Sequence, residues 1–132
     1  SIGAGFDAML SFTDNEFACR HCGKLHFSTE TRNKLNKLRE LLGFPLILNS
    51  GYRCEEYNDK MGFTQTHATG QAVDIRVTHE KAYEVIAAAP DFGFTGIGVK
   101  QHGSPAGDVR FIHLDDLPKA EGRPRPHIWS YK

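Results

Sequence analysis

Two short stretches of this 132-residue chain carry side chains that could do chemistry together. One is His67-Ala68-Thr69-Gly70-Gln71-Ala72-Val73-Asp74, an imidazole and a carboxylate on either side of a glycine that permits a tight turn. The other is Phe111-Ile112-His113-Leu114-Asp115. From Ala72 onward the residues alternate: Val73, Ile75 and Val77 fall on one face, Ala72, Asp74 and Arg76 on the other. That is strand periodicity, and it points Asp74 away from the apolar layer, with the small Ala72 leaving room beside it. On the second stretch His113 and Asp115 share a face, while Ile112 and Leu114 point the opposite way. A neighbouring antiparallel strand could set His113 beside Asp74. Two imidazoles and a carboxylate suit a borderline metal such as zinc, and three protein ligands leave a fourth position open to water, the arrangement of a catalytic site. Each residue alone also has a plainer reading. A buried histidine is more often hydrogen-bonded core than ligand, Asp74 could end a strand, and Asp115 and Asp116 before Leu117-Pro118 could start a turn.

The three cysteines are Cys19, Cys22 and Cys54. An odd count in a chain of this size does not describe a disulfide scaffold. Cys19 and Cys22 form a C-x-x-C with His21 and His26 close by. Three readings stay open: a second, structural zinc site completed by Cys54, a disulfide between Cys54 and one of the pair, or idle buried thiols.

These residues need elements to position them. Thr13 to Phe17 reads as a short capped turn of helix. Ser28 opens a stronger helix whose Leu35, Leu38, Leu41 and Leu42 recur as one apolar stripe for the core, with Gly43 at its end. Residues 45–48 predict a short buried strand, 50–53 a turn, 54–60 a helix and 62–70 a polar surface loop. Thr78 caps a helix over 79–89, closed by Pro90 and Asp91. A glycine-rich strand over 93–99, a loop over 101–108, a strand over 110–114 and a last edge strand over 128–131 follow. This irregular mixture favours an α+β class with a mainly antiparallel sheet flanked by helices, in a single domain over 1–132.

Composition narrows the classes further. The apolar share is 39% and the charged share 24%, as in folded globular chains. Sixteen Lys plus Arg balance sixteen Asp plus Glu, so no general field attracts nucleic acid or an anionic membrane. A local basic patch around Arg123 and Arg125 is compatible with that balance. No apolar run is long enough to span a bilayer. Residues 1–12 carry Asp7 and lack a basic start, so they are not expected to be a signal peptide. No nucleic-acid or membrane partner is expected, and the chain is expected to be a monomer.

The histidine–aspartate motif, preceded by Ser50-Gly51-Tyr52-Arg53 and followed by Phe111-Ile112-His113-Leu114-Asp115, resembles the zinc D-Ala-D-Ala carboxypeptidase family. That family includes the vancomycin-resistance dipeptidases and the phage L-alanyl-D-glutamate endolysins. Phe17-Ala18-Cys19, the leucine helix, Gly93 to Val99 and Trp129-Ser130-Tyr131 are similar to small phage and prophage members, in the same order from about Phe17 onward. The resemblance implies a hedgehog/D-Ala-D-Ala-peptidase-like fold with zinc held by His67, Asp74 and His113. It implies hydrolysis of peptidoglycan stem peptides by zinc-activated water, on a peptidoglycan peptide substrate reached through a holin or from within a virion. It makes Arg53 the residue that steadies the substrate carbonyl or carboxylate, a role suited to a permanently charged planar fork. Asp115 is implied to orient a ligand or the sheet edge rather than bind metal.

One departure stands out. Better-known members place a Glu three residues, or a His two residues, before the last histidine ligand; here those positions are Arg110 and Phe111. Neither serves as a base near neutral pH. The general base then falls to Asp108, His102, Asp115 or His127, with Asp108 and His127 favoured because each lies in a loop or strand end within reach. An alternative follows: a zinc-containing cell-wall-binding module of the same fold, weak or inactive as an enzyme. A third reading is a protein whose zinc only holds the fold. The loops over 101–109 and 115–126 are expected to decide which bond is cut.

Overall fold

The computed structural model describes residues 12–103 and 110–131. Helix α1 is a single turn, Asp14–Phe17, closed by a reciprocal box in which Thr13 and Glu16 satisfy each other's backbone and side chain. Helix α2 spans Thr29–Leu42; the Ser28 hydroxyl accepts from the Thr31 amide at its start, and Gly43 ends it in the left-handed region. Strand β1 is Ile47–Ser50, α3 is Glu55–Met61, and a 3-10 turn over Thr66–Thr69 leads into β2, Ala72–Arg76. Helix α4, His79–Ala88, runs into a second 3-10 turn, Ala89–Phe92. Strands β3 (Gly96–Lys100), β4 (Phe111–Asp115) and β5 (His127–Ser130) complete the chain.

The five strands form one sheet in the order β1-β2-β4-β3-β5. Three of its pairings are antiparallel, whereas β5 joins β3 in parallel. The class is therefore α+β with a mixed sheet. The last strand differs from a hairpin edge because it returns through a connection from 116 to 126 before pairing.

The helices cover one face. Leu35 and Leu38 of α2 and Val85 of α4 meet Val73, Ile75, Ile112 and Leu114, all with no solvent exposure. Burying one such aliphatic side chain contributes roughly 1.5–3 kcal/mol. The predicted leucine stripe is corrected at Leu41, which is 64% exposed. At ~100° per residue, as 3.6 residues per turn require, Leu41 drifts off the line of Leu35, Leu38 and Leu42. Arg39 takes the buried place instead, with its guanidinium over the Phe12 ring at 3.6 Å and a bond to the Leu46 carbonyl. The strand expected over 45–48 is shifted to Ile47–Ser50, and Ile47 is exposed.

Candidate metal centre

The second face of the sheet carries polar chemistry because the side-chain period is two. Register places Asp74 opposite His113 and His113 opposite Gly98, with Ser50 and Trp129 at the ends of the same row. The next row runs Ala72, Asp115, Gly96, His127. The glycines on β3 are required by this crowding. A Cβ at Gly96 would run into the Asp115 carboxylate, and one at Gly98 into the Trp129 indole.

His67 arrives from outside the sheet. Residues 62–70 were expected to be a surface loop, but the 3-10 turn inside them buries His67 to 2% exposure. Its Nδ1 lies 2.9 Å from the Gly51 carbonyl and its Nε2 lies 3.3 Å from Asp74 Oδ1, so a neutral ring that donates from Nδ1 has Nε2 free for a metal, and a protonated ring donates to both oxygens. His113 repeats the arrangement with the nitrogens exchanged. Its Nε2 lies 2.7 Å from Asp115 Oδ2, and its Nδ1 lies 3.2 Å from Asp74 Oδ1. One ligand atom each from His67, Asp74 and His113 thus lies within 4.8 Å of the others. An imidazole whose far nitrogen is held by a carbonyl or carboxylate is fixed in tautomer and made more basic at the near one, as metal sites require. The N, O, N donor set fits zinc.

The electrostatics favour a cation at this point. Burial pushes the Asp74 carboxyl up, but the charges and hydrogen bonds of His67 and His113 outweigh it and hold Asp74 well below the usual carboxylate range. Burial pulls His113 down, and Asp115 and Asp74 overcome that to raise it. Asp115 has no exposure and is itself gripped by Arg125, whose Nε and Nη2 donate to its two oxygens at 2.9 and 2.8 Å. Burial acts upward on Asp115 as well, yet His113 and Arg125 bring it down to about 2. The adjacent Asp116 faces the other way, accepting from Thr31 and Lys34 of α2.

The group lies in a cleft of about 830 Å³. Arg53, Lys100, Arg123, Arg125 and His127 line it, and Asp74 is its sole acidic residue among those described. Arg53 stacks on Phe63 with its guanidinium carbon 4.6 Å from the ring centre. Its Nε is buried without a hydrogen-bond partner, and no carboxylate pairs with it among the described residues.

The expected bases separate clearly. His127 lines the cleft, its ring stacked on Trp129 at 5.7 Å, and Trp129 in turn sits 5.1 Å from His113. His102 is exposed and directs Nε2 to the Tyr131 carbonyl at 3.2 Å, outside the cleft lining. Asp115 is corrected as a base candidate, because both oxygens are engaged by His113, Arg125 and the Leu117 amide. It orients His113 instead. Asp108 lies outside the described residues. In the sequence Arg125 suggests only a basic patch; its pairing with Asp115 depends on a loop return that no local pattern signals. The thiols of Cys19, Cys22 and Cys54 are free.

Among the described residues, no helix is long and apolar enough to cross a membrane. No curated protein matches the sequence. A family model described as Peptidase M15 matches residues 9–115, a stretch that contains His67, Asp74 and His113. That match covers most of the chain, and the chain belongs to the peptidase M15 family.

Proposed function

We propose that this protein is a zinc-dependent peptidase that hydrolyses bonds of the D-Ala-D-Ala or L-alanyl-D-glutamate type in peptidoglycan stem peptides. The observation that carries the reading is the convergence of His67 Nε2, Asp74 Oδ1 and His113 Nδ1 in the floor of an open, cation-lined cleft. Membership of the peptidase M15 family supports the reaction class. Held by His67, Asp74 and His113, zinc would supply a water of pKa about 7 and polarisation of a carbonyl.

The chain's own groups supply the rest. Arg53, with an unpaired Nε, offers donors to the substrate's carboxylate or to the oxyanion that develops at the scissile carbonyl. Lys100 and Arg123 add positive charge that suits an acidic stem peptide or a free terminal carboxylate. His127, on the cleft wall, takes a proton during attack and returns it to the leaving amine. Asp115 keeps the His113 ring in place through its bond to Nε2.

Purified peptidoglycan and D-Ala-D-Ala-ended peptides are incubated with zinc-loaded protein, and the products are read by mass spectrometry. Release of alanine or cleaved stem peptide, lost on chelation and in His113→Ala, is expected. No product from fully loaded protein would sink the hydrolase reading. The second reading, a cell-wall-binding module, is favoured by one observation: Arg110 and Phe111 stand where a Glu or a His is expected before His113. Binding of wall fragments without turnover, unchanged in His127→Gln and Asp108→Asn, would establish it. Loss of turnover in either variant excludes it.

A further inference from the structure

The segment between α1 and α2 lacks regular secondary structure, and residues 20–26 are exposed. It has little apolar burial to hold it, yet its turn is sharply defined. The Gly23 amide donates to the Cys19 carbonyl at 2.8 Å, and the Cys19 amide donates to the Lys24 carbonyl at 2.9 Å. Gly23 closes the turn at φ +75°, a conformation that suits glycine. The turn brings Cys19 and Cys22 to the side of Cys54, the residue that caps α3. Any two of the three sulfurs lie within 4.8 Å. His21 Nδ1 lies 3.6 Å from Cys54 Sγ, and its ring stacks on Tyr57 of α3 with centroids 5.0 Å apart.

We infer that Cys19, Cys22 and Cys54 hold a second zinc ion that is structural and separate from the His67, Asp74 and His113 group, with His21, which stands beside Cys54 but outside the mutual grouping of the three sulfurs, turning in as fourth ligand. A zinc about 2.3 Å from each thiolate sets tetrahedral sulfurs about 3.8 Å apart, inside the observed spacing. A disulfide would join two of the sulfurs and leave the third thiol against it with no role. A closed Cys3His set employs all of them together with the imidazole. Backbone amides already point at one sulfur: the Cys54 amide donates to Cys19 Sγ at 3.4 Å. The ion would pin an otherwise weakly held turn to the start of α3, one residue from Arg53. The bond from the Tyr52 amide to the Phe17 carbonyl at 2.8 Å closes the same junction on its other side.

Elemental analysis of the purified full chain tests this. Two zinc ions per chain are expected in the wild type and one in Cys22→Ser, whose parent side chain is exposed. One is also expected in the double variant His67→Ala/His113→Ala, so loss of either site is seen independently of the other. Cobalt reconstitution gives a second readout. A sulfur-to-cobalt charge-transfer band should persist in the double histidine variant and vanish in Cys22→Ser. A zinc count unaffected by Cys22→Ser, or no such band in folded wild type, overturns the inference. Thiol titration of denatured, chelated, unreduced wild type should find three thiols; finding one means a disulfide and also overturns it. His21→Ala should keep the cobalt–sulfur band but yield its zinc to a competing chelator more readily. Unchanged competition removes His21 from the site.

Discussion

Strands β2 and β4 build two faces that obey different rules. On the helix side, Val73, Ile75, Ile112 and Leu114 are fully buried among aliphatic neighbours. On the cleft side, Asp74, His113 and Asp115 depend on particular atoms meeting across the register. An apolar face asks for volume and shape, and swaps that conserve volume usually cost under about 1.5 kcal/mol. A polar buried face asks for partners, and removing one strands the others. The two are coupled by the pleat, because a slip of one residue in register would exchange the faces. The packed layer thus fixes where the ligands point, while contributing no atom to the site.

Four perturbations sharpen that contrast. The largest effect is expected from Asp115→Asn, which removes the charge that Arg125 grips and the acceptor that orients His113. Breaking a buried pair on one side costs about 3–5 kcal/mol. Loss of a carboxylate behind a histidine ligand weakens metal binding about 10–100-fold. A denaturant titration and a metal-competition assay should each record the change; an unaltered zinc affinity would show that Asp115 serves the fold alone. Ile112→Ala should cost a similar or smaller amount, about 2–5 kcal/mol, through a cavity on the other face. Its zinc affinity per folded molecule should stay near wild type. If affinity falls as far as in Asp115→Asn, the two faces are not separable.

A smaller effect concerns acid. In metal-free protein the Asp115 carboxyl sits at about 2, against an unfolded value of about 3.9. A depressed carboxyl contributes stability that is complete above the unfolded value and is lost as pH falls through the folded one. The gap in melting temperature between wild type and Asp115→Asn should therefore hold above about pH 4 and narrow from there toward pH 2. A gap that stays constant across that window contradicts the assignment. The smallest effect is expected at Leu41→Ala, which removes a side chain that is 64% exposed. Its change should stay within about 0.5 kcal/mol. Leu38→Ala on the same helix should instead show a core-sized loss in the same denaturation experiment.

Much of the site was legible in the chain because it lies on strands with clear alternation. Asp74 stands among Val73 and Ile75, and His113 between Ile112 and Leu114, so their direction follows from period two. Gly43, Ser28 and the Thr13–Glu16 box mark helix ends through local hydrogen bonding. Leu41 misled because a stripe read by spacing alone does not say where its edge meets solvent. The threonines and glycine around His67 read as a polar surface loop; the residue is buried through the Gly51 carbonyl on the far side of α3 and through Asp74 on the next strand. Arg125 carried no local signal at all.

The amino-acid order by itself determined which residues alternate, which turns need glycine, and which side chains are candidates for holding a metal, since these depend on neighbours within a few positions. The tertiary structure alone decided that β5 runs parallel to β3, that Arg125 joins His113 on the Asp115 carboxylate, and that His127 reaches the cleft. Those outcomes depend on pairing between segments that lie outside any one local element. Their loop entropy and partner choice leave no periodic trace along the sequence.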